Sequence, residues 1–121
     1  MGSLRTIEDE QRYLEYQKTG GLDGECLFCR EKGVKEFTYW KVLPNTFPYN
    51  KIAKVHDMLA PKRHVTEQEL PAEELEEYQA LKAGFINTNY EFIFEPTQKK
   101  KSIPKHFHLH LIEAKDSPTK G

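Results

Sequence analysis

Three of the five histidines in this 121-residue chain alternate with apolar residues in the stretch "HFHLHLI", residues 106–112. Side chains alternate between the two faces of a β-strand, so a strand here places His106, His108 and His110 on one face and the apolar residues on the other. Imidazole suits nucleophilic or acid–base chemistry near neutral pH, and neighbouring imidazoles can also bind a metal ion or an anion. The plainer alternative is a strand whose polar face happens to be histidine. Three histidines in strict alternation favour a functional site.

A Cys-x-x-Cys pair, Cys26 and Cys29 in "CLFC", adds two thiolates that can face one ion. Structural zinc sites are commonly tetrahedral, so these cysteines and two histidines would complete a closed site. The alternative is a redox motif, which needs a thioredoxin-like βαβ context that the surrounding sequence does not predict. The other two histidines, His56 and His64, lie within and just after the segment "AKVHDMLAP". The sequence therefore predicts a structural zinc ion.

The elements that position these groups follow from hydrophobic periodicity and turn residues. An amphipathic helix is predicted from Leu4 to about Lys18, before a glycine pair, and a second helix over "LPAEELEEYQALKAGF", residues 70–85. Aromatic, β-branched and alternating segments predict four strands, at residues 36–43, 53–61, 89–95 and 106–112. A turn-rich knuckle surrounds the cysteines. This mixture indicates one α+β domain with antiparallel strands.

Composition and charge exclude several function classes. The chain is 37% hydrophobic and 31% charged with a net charge of −1, which is typical of a globular protein and argues against a bulk nucleic-acid scaffold. No apolar run approaches the roughly 20 residues that a membrane helix requires, and the N-terminus has no apolar signal core. We therefore expect a cytoplasmic protein with no membrane association.

Taken together, the motifs resemble those of the histidine triad (HIT) family. The signature of that family alternates histidine with apolar residues, and "HFHLHLI" matches it at all seven positions. "CLFC", "NTFPYN", "HDMLAPKRH" and "SIPKHFHLHLI" occur in the family's order over about residues 24–113. "FPYN" and "SIPKH" are more similar to the diadenosine tetraphosphate hydrolase and phosphorylase branch than to the nucleoside phosphoramidases. The resemblance implies a HIT-like α+β fold, usually a homodimer, with an antiparallel sheet and a long helix. Residues 1–23 would then be an N-terminal helical extension and residues 114–121 a disordered tail.

The resemblance also implies roles for the histidines and cysteines. His108 would be the nucleophile that attacks an α-phosphorus and forms a nucleotidyl-histidine. His110 would lie beside it near the phosphoryl oxygens, and His56 matches a strand histidine near the active centre. Zinc-containing relatives have ligands that match Cys26, Cys29, His64 and His106. Relatives without zinc use the first triad histidine in the catalytic site instead.

Substrate contacts are implied for two further segments. Asn45 and Asn50 match polar residues of the family's nucleotide pocket, and Phe47 or Tyr49 offers a base-stacking surface, with core packing as the alternative. Ser102 matches a donor just before the triad. Four lysines surround Ser102 and could contact phosphate, although such a charge run can also be a solvated loop. They are Lys99, Lys100, Lys101 and Lys105.

The chain departs from the family pattern next to the triad. The stretch "EPTQKKKS" has no glycine where relatives carry a glycine-rich segment, and Glu113-Ala114 replaces the usual Pro-Arg. Lysines can replace the charge of a backbone phosphate cradle but not its geometry. "KIAKV" is an extra stretch before the second strand.

The hypothesis from sequence is a nucleotide hydrolase or nucleotidyl transferase that cleaves a nucleoside phosphate anhydride or ester through a nucleotidyl-histidine intermediate. Its substrate would be a nucleotide or dinucleoside polyphosphate, and its cofactor a structural zinc ion. One alternative is a nucleoside phosphoramidase. The other is a zinc-stabilised nucleotide-binding or adaptor protein without significant turnover.

Overall fold

A computed structural model describes residues 4–18, 26–95, 97 and 106–115. Five strands form one antiparallel sheet: β1 Lys35–Glu36, β2 Trp40–Pro44, β3 Ala53–Pro61, β4 Phe92–Phe94 and β5 Leu109–Ala114. The helices are α1 Ile7–Lys18, α2 Leu27–Arg30 and α3 Ala72–Leu81; the last continues through a π-helical segment, Lys82–Ile86, into α4, Asn87–Asn89. The predicted α+β class and antiparallel sheet are confirmed.

The long strand β3 lies at the centre of the sheet, whose order is β1-β2-β3-β5-β4. Its register with β5 pairs His56 with Ile112 and Met58 with His110. Residues two apart on a strand share a face, and diagonal cross-strand neighbours are within reach of long side chains. This register therefore brings His56 and His110 together on one face.

Both faces of the sheet are covered. On one side, Trp40, Leu59 and Leu111 belong to a buried cluster against which Tyr78 of α3 packs. The Nε1–H of Trp40 donates a hydrogen bond of 2.7 Å to the Glu74 carbonyl, which fastens α3 to β2. On the other side, a smaller apolar cluster lies beneath α2 and comprises Phe28, Leu43, Met58 and Ala60. The knuckle that carries the cysteines is therefore packed directly on the sheet.

Three strand predictions were wrong in their bounds. The segment 89–95 is strand only over Phe92–Phe94, because α4 continues to Asn89. The segment 36–43 is not one strand, because β1 and β2 pair as an antiparallel hairpin across a turn at 37–39. The stretch 106–112 is strand only from Leu109, because its pairing with β3 stops at Leu59 and the Phe107 N–H donates instead to the Val65 carbonyl, at 2.7 Å. Two of the three triad histidines therefore precede the strand, and all three are buried.

The other element predictions fare better. Strand β3 has the predicted bounds, α1 begins at Ile7 rather than Leu4, and α3 begins directly after Pro71. No helix in the described part of the chain is long and apolar enough to cross a membrane. The residues of the predicted tail from position 116 onward lie outside the described residues.

Candidate metal centre and active site

Four metal-binding side chains from three separate segments converge beneath the knuckle. They are Cys26, Cys29, His64 and His106, and their ligand atoms all lie within 4.8 Å of one another. The cysteines flank α2, the first histidine follows the end of β3, and the second precedes β5. The four residues predicted as ligands are thus close enough to hold one metal ion.

The distances within this cluster match a tetrahedral site. The Nδ1 atom of His106 lies 3.4 Å from Cys26 Sγ, 3.6 Å from Cys29 Sγ and 3.3 Å from His64 Nδ1. Cys29 Sγ lies 3.3 Å from His64 Nδ1. Tetrahedral bonds of about 2.3 Å to sulfur and about 2.0–2.1 Å to nitrogen give S···N edges of about 3.6 Å and N···N edges of about 3.4 Å. Four of the six edges are therefore close to those of a tetrahedral site, and the other two lie within 4.8 Å.

The ring of His106 is fixed in the tautomer that a metal ligand needs. Its Nε2–H donates a hydrogen bond of 2.8 Å to the Pro61 carbonyl, which leaves the lone pair on Nδ1, the atom facing the thiols. Metal-ligating histidines commonly donate their other ring N–H in this way. His106 is fully buried, and burial lowers its pKa to about 4, so the ring is neutral at pH 7.

His108 carries its proton on the opposite ring nitrogen. Its Nδ1–H donates a hydrogen bond of 2.9 Å to the backbone carbonyl of His106, so the Nε2 atom has the lone pair. Phe28 of α2 packs against the His108 ring with centroids 4.6 Å apart. An imidazole whose Nδ1–H is held by a backbone carbonyl can act as a nucleophile through Nε2 when the ring is neutral.

His56 and His110 form a buried hydrogen-bonded pair. The backbone N–H of Tyr49 donates to His56 Nδ1 at 2.9 Å, so the proton of a neutral His56 lies on Nε2, and this Nε2–H donates to His110 Nδ1 at 2.7 Å. His110 must then carry its own proton on Nε2. Among the described residues that Nε2 atom is buried and has no hydrogen-bond partner. The pair therefore ends in an unpaired N–H donor, and the His110 ring lies 5.4 Å from the His108 ring.

Burial keeps this pair neutral. Desolvation is the main cause that lowers the pKa of His56 to about 4 and that of His110 to about 3, and the positive charge of Arg5 contributes to both values. An unpaired buried donor costs roughly 1–3 kcal/mol relative to a paired one. A phosphoryl oxygen at His110 Nε2 would remove that cost, so the arrangement is suited to an anionic ligand.

The three predicted nucleotide contacts that the structure describes lie in the loop between β2 and β3. Asn45 lies nearest the histidines, with its Nδ2 atom 3.3 Å from His56 Nε2 and its Oδ1 accepting the Phe47 N–H at 2.8 Å. The Phe47 ring packs against the tyrosines of α1, and Asn50 Oδ1 accepts the Thr6 N–H at 2.9 Å. All three roles in nucleotide binding stay predictions. Lys101 and Ser102, like the lysines around them, lie outside the described residues.

Sequence reasoning gave no role to Phe28 or Arg5. Phe28 had a detectable signal, since it is the aromatic residue between the two cysteines of "CLFC". Arg5 had none, because its partner Phe47 is 42 positions away in the chain.

A scan against protein-family models and a search of curated proteins each returned no match to this chain.

Proposed function

We propose that the protein is a nucleotide hydrolase or nucleotidyl transferase of the histidine triad type. The observation that carries the proposal is the position of His108, whose Nδ1–H is held by the His106 carbonyl, beside His110, whose buried Nε2–H has no partner among the described residues. A nucleophile and a buried donor side by side are what phosphoryl transfer to nitrogen requires. The resemblance of "HFHLHLI" to the family signature supports the same conclusion.

The reaction would proceed in two balanced displacements. His108 Nε2 attacks the α-phosphorus, the bond from phosphorus to the bridging oxygen breaks, and its electron pair leaves with the departing phosphate. Water or a phosphate then attacks the same phosphorus, the electron pair of the P–N bond returns to Nε2, and an attacking water releases one proton to the solvent. His110 Nε2–H donates a hydrogen bond to a phosphoryl oxygen in both steps, and His56 holds His110 in the required tautomer.

We further propose that the metal held by the cysteine and histidine cluster is zinc, with a structural role. Two thiolates and two imidazoles are a ligand set that zinc prefers, and all four positions are occupied by protein. When bound, zinc would hold the knuckle to the start of β5. His106 then serves two purposes, because its side chain belongs to the cluster while its carbonyl orients His108.

The substrate would bind beside the loop between β2 and β3. Asn45 is the predicted contact closest to the histidines, and Phe47 and Asn50 lie farther along the same loop. We expect the protein to be a homodimer on the basis of the resemblance, which sedimentation at micromolar concentration would test.

The test is capture of the covalent intermediate. The metal-loaded protein is mixed with dinucleoside polyphosphates or nucleoside phosphoramidates and quenched in alkali, because a phosphoramidate is labile to acid, and the peptide containing His108 is analysed by mass spectrometry. We expect a nucleotide adduct on His108 and none in His108→Gln. The control His110→Gln keeps the nucleophile, so the adduct should still form, but more slowly.

The substrate panel also separates the alternatives. Turnover confined to phosphoramidates would favour the phosphoramidase alternative. Nucleotide binding with neither adduct nor turnover would contradict the enzyme proposal and leave a nucleotide-binding or adaptor protein.

A further inference from the structure

Arg5, just before α1, is held between aromatic rings from two different elements. The Cζ atom of its guanidinium lies 4.2 Å from the centroid of the Tyr13 ring in α1 and 5.0 Å from that of Tyr49 in the loop before β3. Its Nε–H donates to the Phe47 carbonyl at 2.7 Å, and Nη1 pairs with Glu10 at 3.1 Å. The side chain is only 12% exposed. An arginine with this many partners is fixed in place.

Tyr49 connects Arg5 to the buried histidine pair. Its backbone N–H sets the tautomer of His56, and its ring lies 4.5 Å from the His56 ring. The same ring is stacked on His110, with centroids 5.2 Å apart and an interplanar angle of 25°. The guanidinium therefore covers the ring that packs against both histidines.

The docking of α1 on this loop depends on the Phe47 ring, which packs against the tyrosines of α1, and on a few polar contacts. The helix has no fully buried residue, and Ile7 is 78% exposed. Besides Arg5, the backbone bond from Lys51 N–H to the Leu4 carbonyl, at 3.0 Å, and the Asn50 contacts hold the segment. Loss of Arg5 should therefore loosen α1 and Tyr49 together.

We propose that Arg5 is a positioning residue for the candidate active site. By clamping Tyr49 and Phe47, it holds His56 and His110 in the tautomers that leave His110 Nε2–H available to a phosphoryl oxygen. The kinetic consequence rests on the proposed function, but the positioning itself does not. The N-terminal segment is thus part of the site rather than an appendage.

The charge of Arg5 provides an independent reporter. Tyr49 and Asn45 from the loop and His110 from β5 contact His56. Arg5 lies on the Tyr49 ring and acts on His56 through its charge. Burial is the larger cause of the low pKa of His56, and the guanidinium charge is the second. Removing that charge should raise the pKa of His56 even if the loop keeps its shape.

The experiment compares Arg5→Met and Arg5→Lys with Lys18→Met, a control that removes one positive charge from an exposed position of the same helix. Long-range nitrogen-15 NMR of the full-length protein reports the tautomers of His56 and His110 and the pKa of His56. In Arg5→Met the two rings should exchange between tautomers, so that their nitrogen-15 shifts are averaged, and the pKa of His56 should rise by about one unit. Arg5→Lys should keep the low pKa, and Lys18→Met should match the wild type.

Kinetics supply a second readout. Because the residue positions groups that act on the transition state, Arg5→Met should lower kcat about tenfold or more while KM changes less than about threefold. Arg5→Lys should recover at least half of the lost kcat.

Wild-type ring signals and an unchanged His56 pKa in Arg5→Met would overturn the proposal. If that variant does not fold, Arg5→Gln, which keeps a donor for Phe47 but lacks the charge, is judged by the same criteria. If the protein shows no turnover at all, the NMR result still decides the role of Arg5, so this failure is distinct from failure of the proposed function.

Discussion

Of the three histidines in "HFHLHLI", His106 and His110 carry the proton on Nε2 and His108 carries it on Nδ1, and the hydrogen-bond partner of each ring decides which. The Pro61 carbonyl leaves the lone pair of His106 on Nδ1, and the carbonyl of His106 leaves that of His108 on Nε2. His110 accepts on Nδ1 from His56, so its Nε2 is a donor. One repeated residue type therefore offers three different sets of free lone pairs and N–H donors, which is what the proposed roles of metal ligand, nucleophile and donor require. Alternation in the sequence does not make the three residues equivalent.

The low pKa values of the buried pair predict a stability that falls in acid. In the folded protein His56 and His110 have pKa values of about 4 and about 3, below the ordinary value of about 6.5 that applies to the unfolded chain. Between those values the unfolded chain binds more protons, so the free energy of unfolding decreases as the pH falls below about 6.5. We expect a loss of up to about 2 kcal/mol per histidine between pH 7 and pH 5, measured by urea denaturation.

Metal-stripped protein is the appropriate sample, because acid also releases metal. The control variant is His56→Gln, in which the free energy of unfolding should fall less steeply with decreasing pH. A free energy of unfolding that stays constant from pH 7 to pH 5 would contradict neutral burial of the pair.

At the scale of elements, the short helix α2 presents the metal ligands because Phe28 anchors it. Phe28 is 1% exposed and contacts the rings of both His106, at 5.2 Å, and His108. Behind the helix, the Nζ of buried Lys41 in β2 donates to the Glu31 carbonyl at 2.7 Å. One apolar and one polar contact thus hold the knuckle on the sheet.

Phe28→Ala should therefore destabilise the protein and weaken metal binding together. Truncation of a buried phenylalanine costs about 3–5 kcal/mol, through lost burial and the cavity left behind. Val34→Ala is the matched control, because Val34 follows the same knuckle and is 70% exposed, so its cost should stay within about 0.5 kcal/mol. Chemical denaturation and competition with a chromogenic chelator measure the two effects. Equal stabilities for the two variants would show that Phe28 does not anchor α2.

What the sequence could predict about these elements depended on local signals. The bounds of β3 were predictable because alternation starts at Ala53 and Pro61 ends it. The hairpin at 35–44 was missed because its turn, 37–39, contains no glycine, proline or asparagine. The start of β5 depends on where its partner strand ends, and the clamp by Arg5 depends on a contact 42 positions away. Neither is encoded in the neighbouring residues.

At the scale of the molecule, the metal cluster joins three distant segments of the chain. Residues 26–29, 64 and 106 come together at the end of β3, where the sheet itself no longer connects them. This cluster was the part of the candidate site that the sequence predicted best. The reason is that two cysteines at Cys-x-x-Cys spacing and histidines indicate metal ligands in many different folds. The contact between His56 and His110 required the strand register, which no local pattern supplies.

A bound metal should consequently control global stability. A ligand that binds only the folded state stabilises it by about 4 kcal/mol when its concentration is 1,000 times its dissociation constant, which corresponds to roughly 10 °C or more for a domain of this size. We expect the zinc-loaded protein to contain one zinc ion per chain by elemental analysis and to melt higher by at least that amount than the chelator-treated protein. The double variant Cys26→Ser, Cys29→Ser should bind less than half an ion per chain, and its Tm should not respond to chelator. A wild-type Tm that is the same with and without chelator would contradict a structural role for a bound metal.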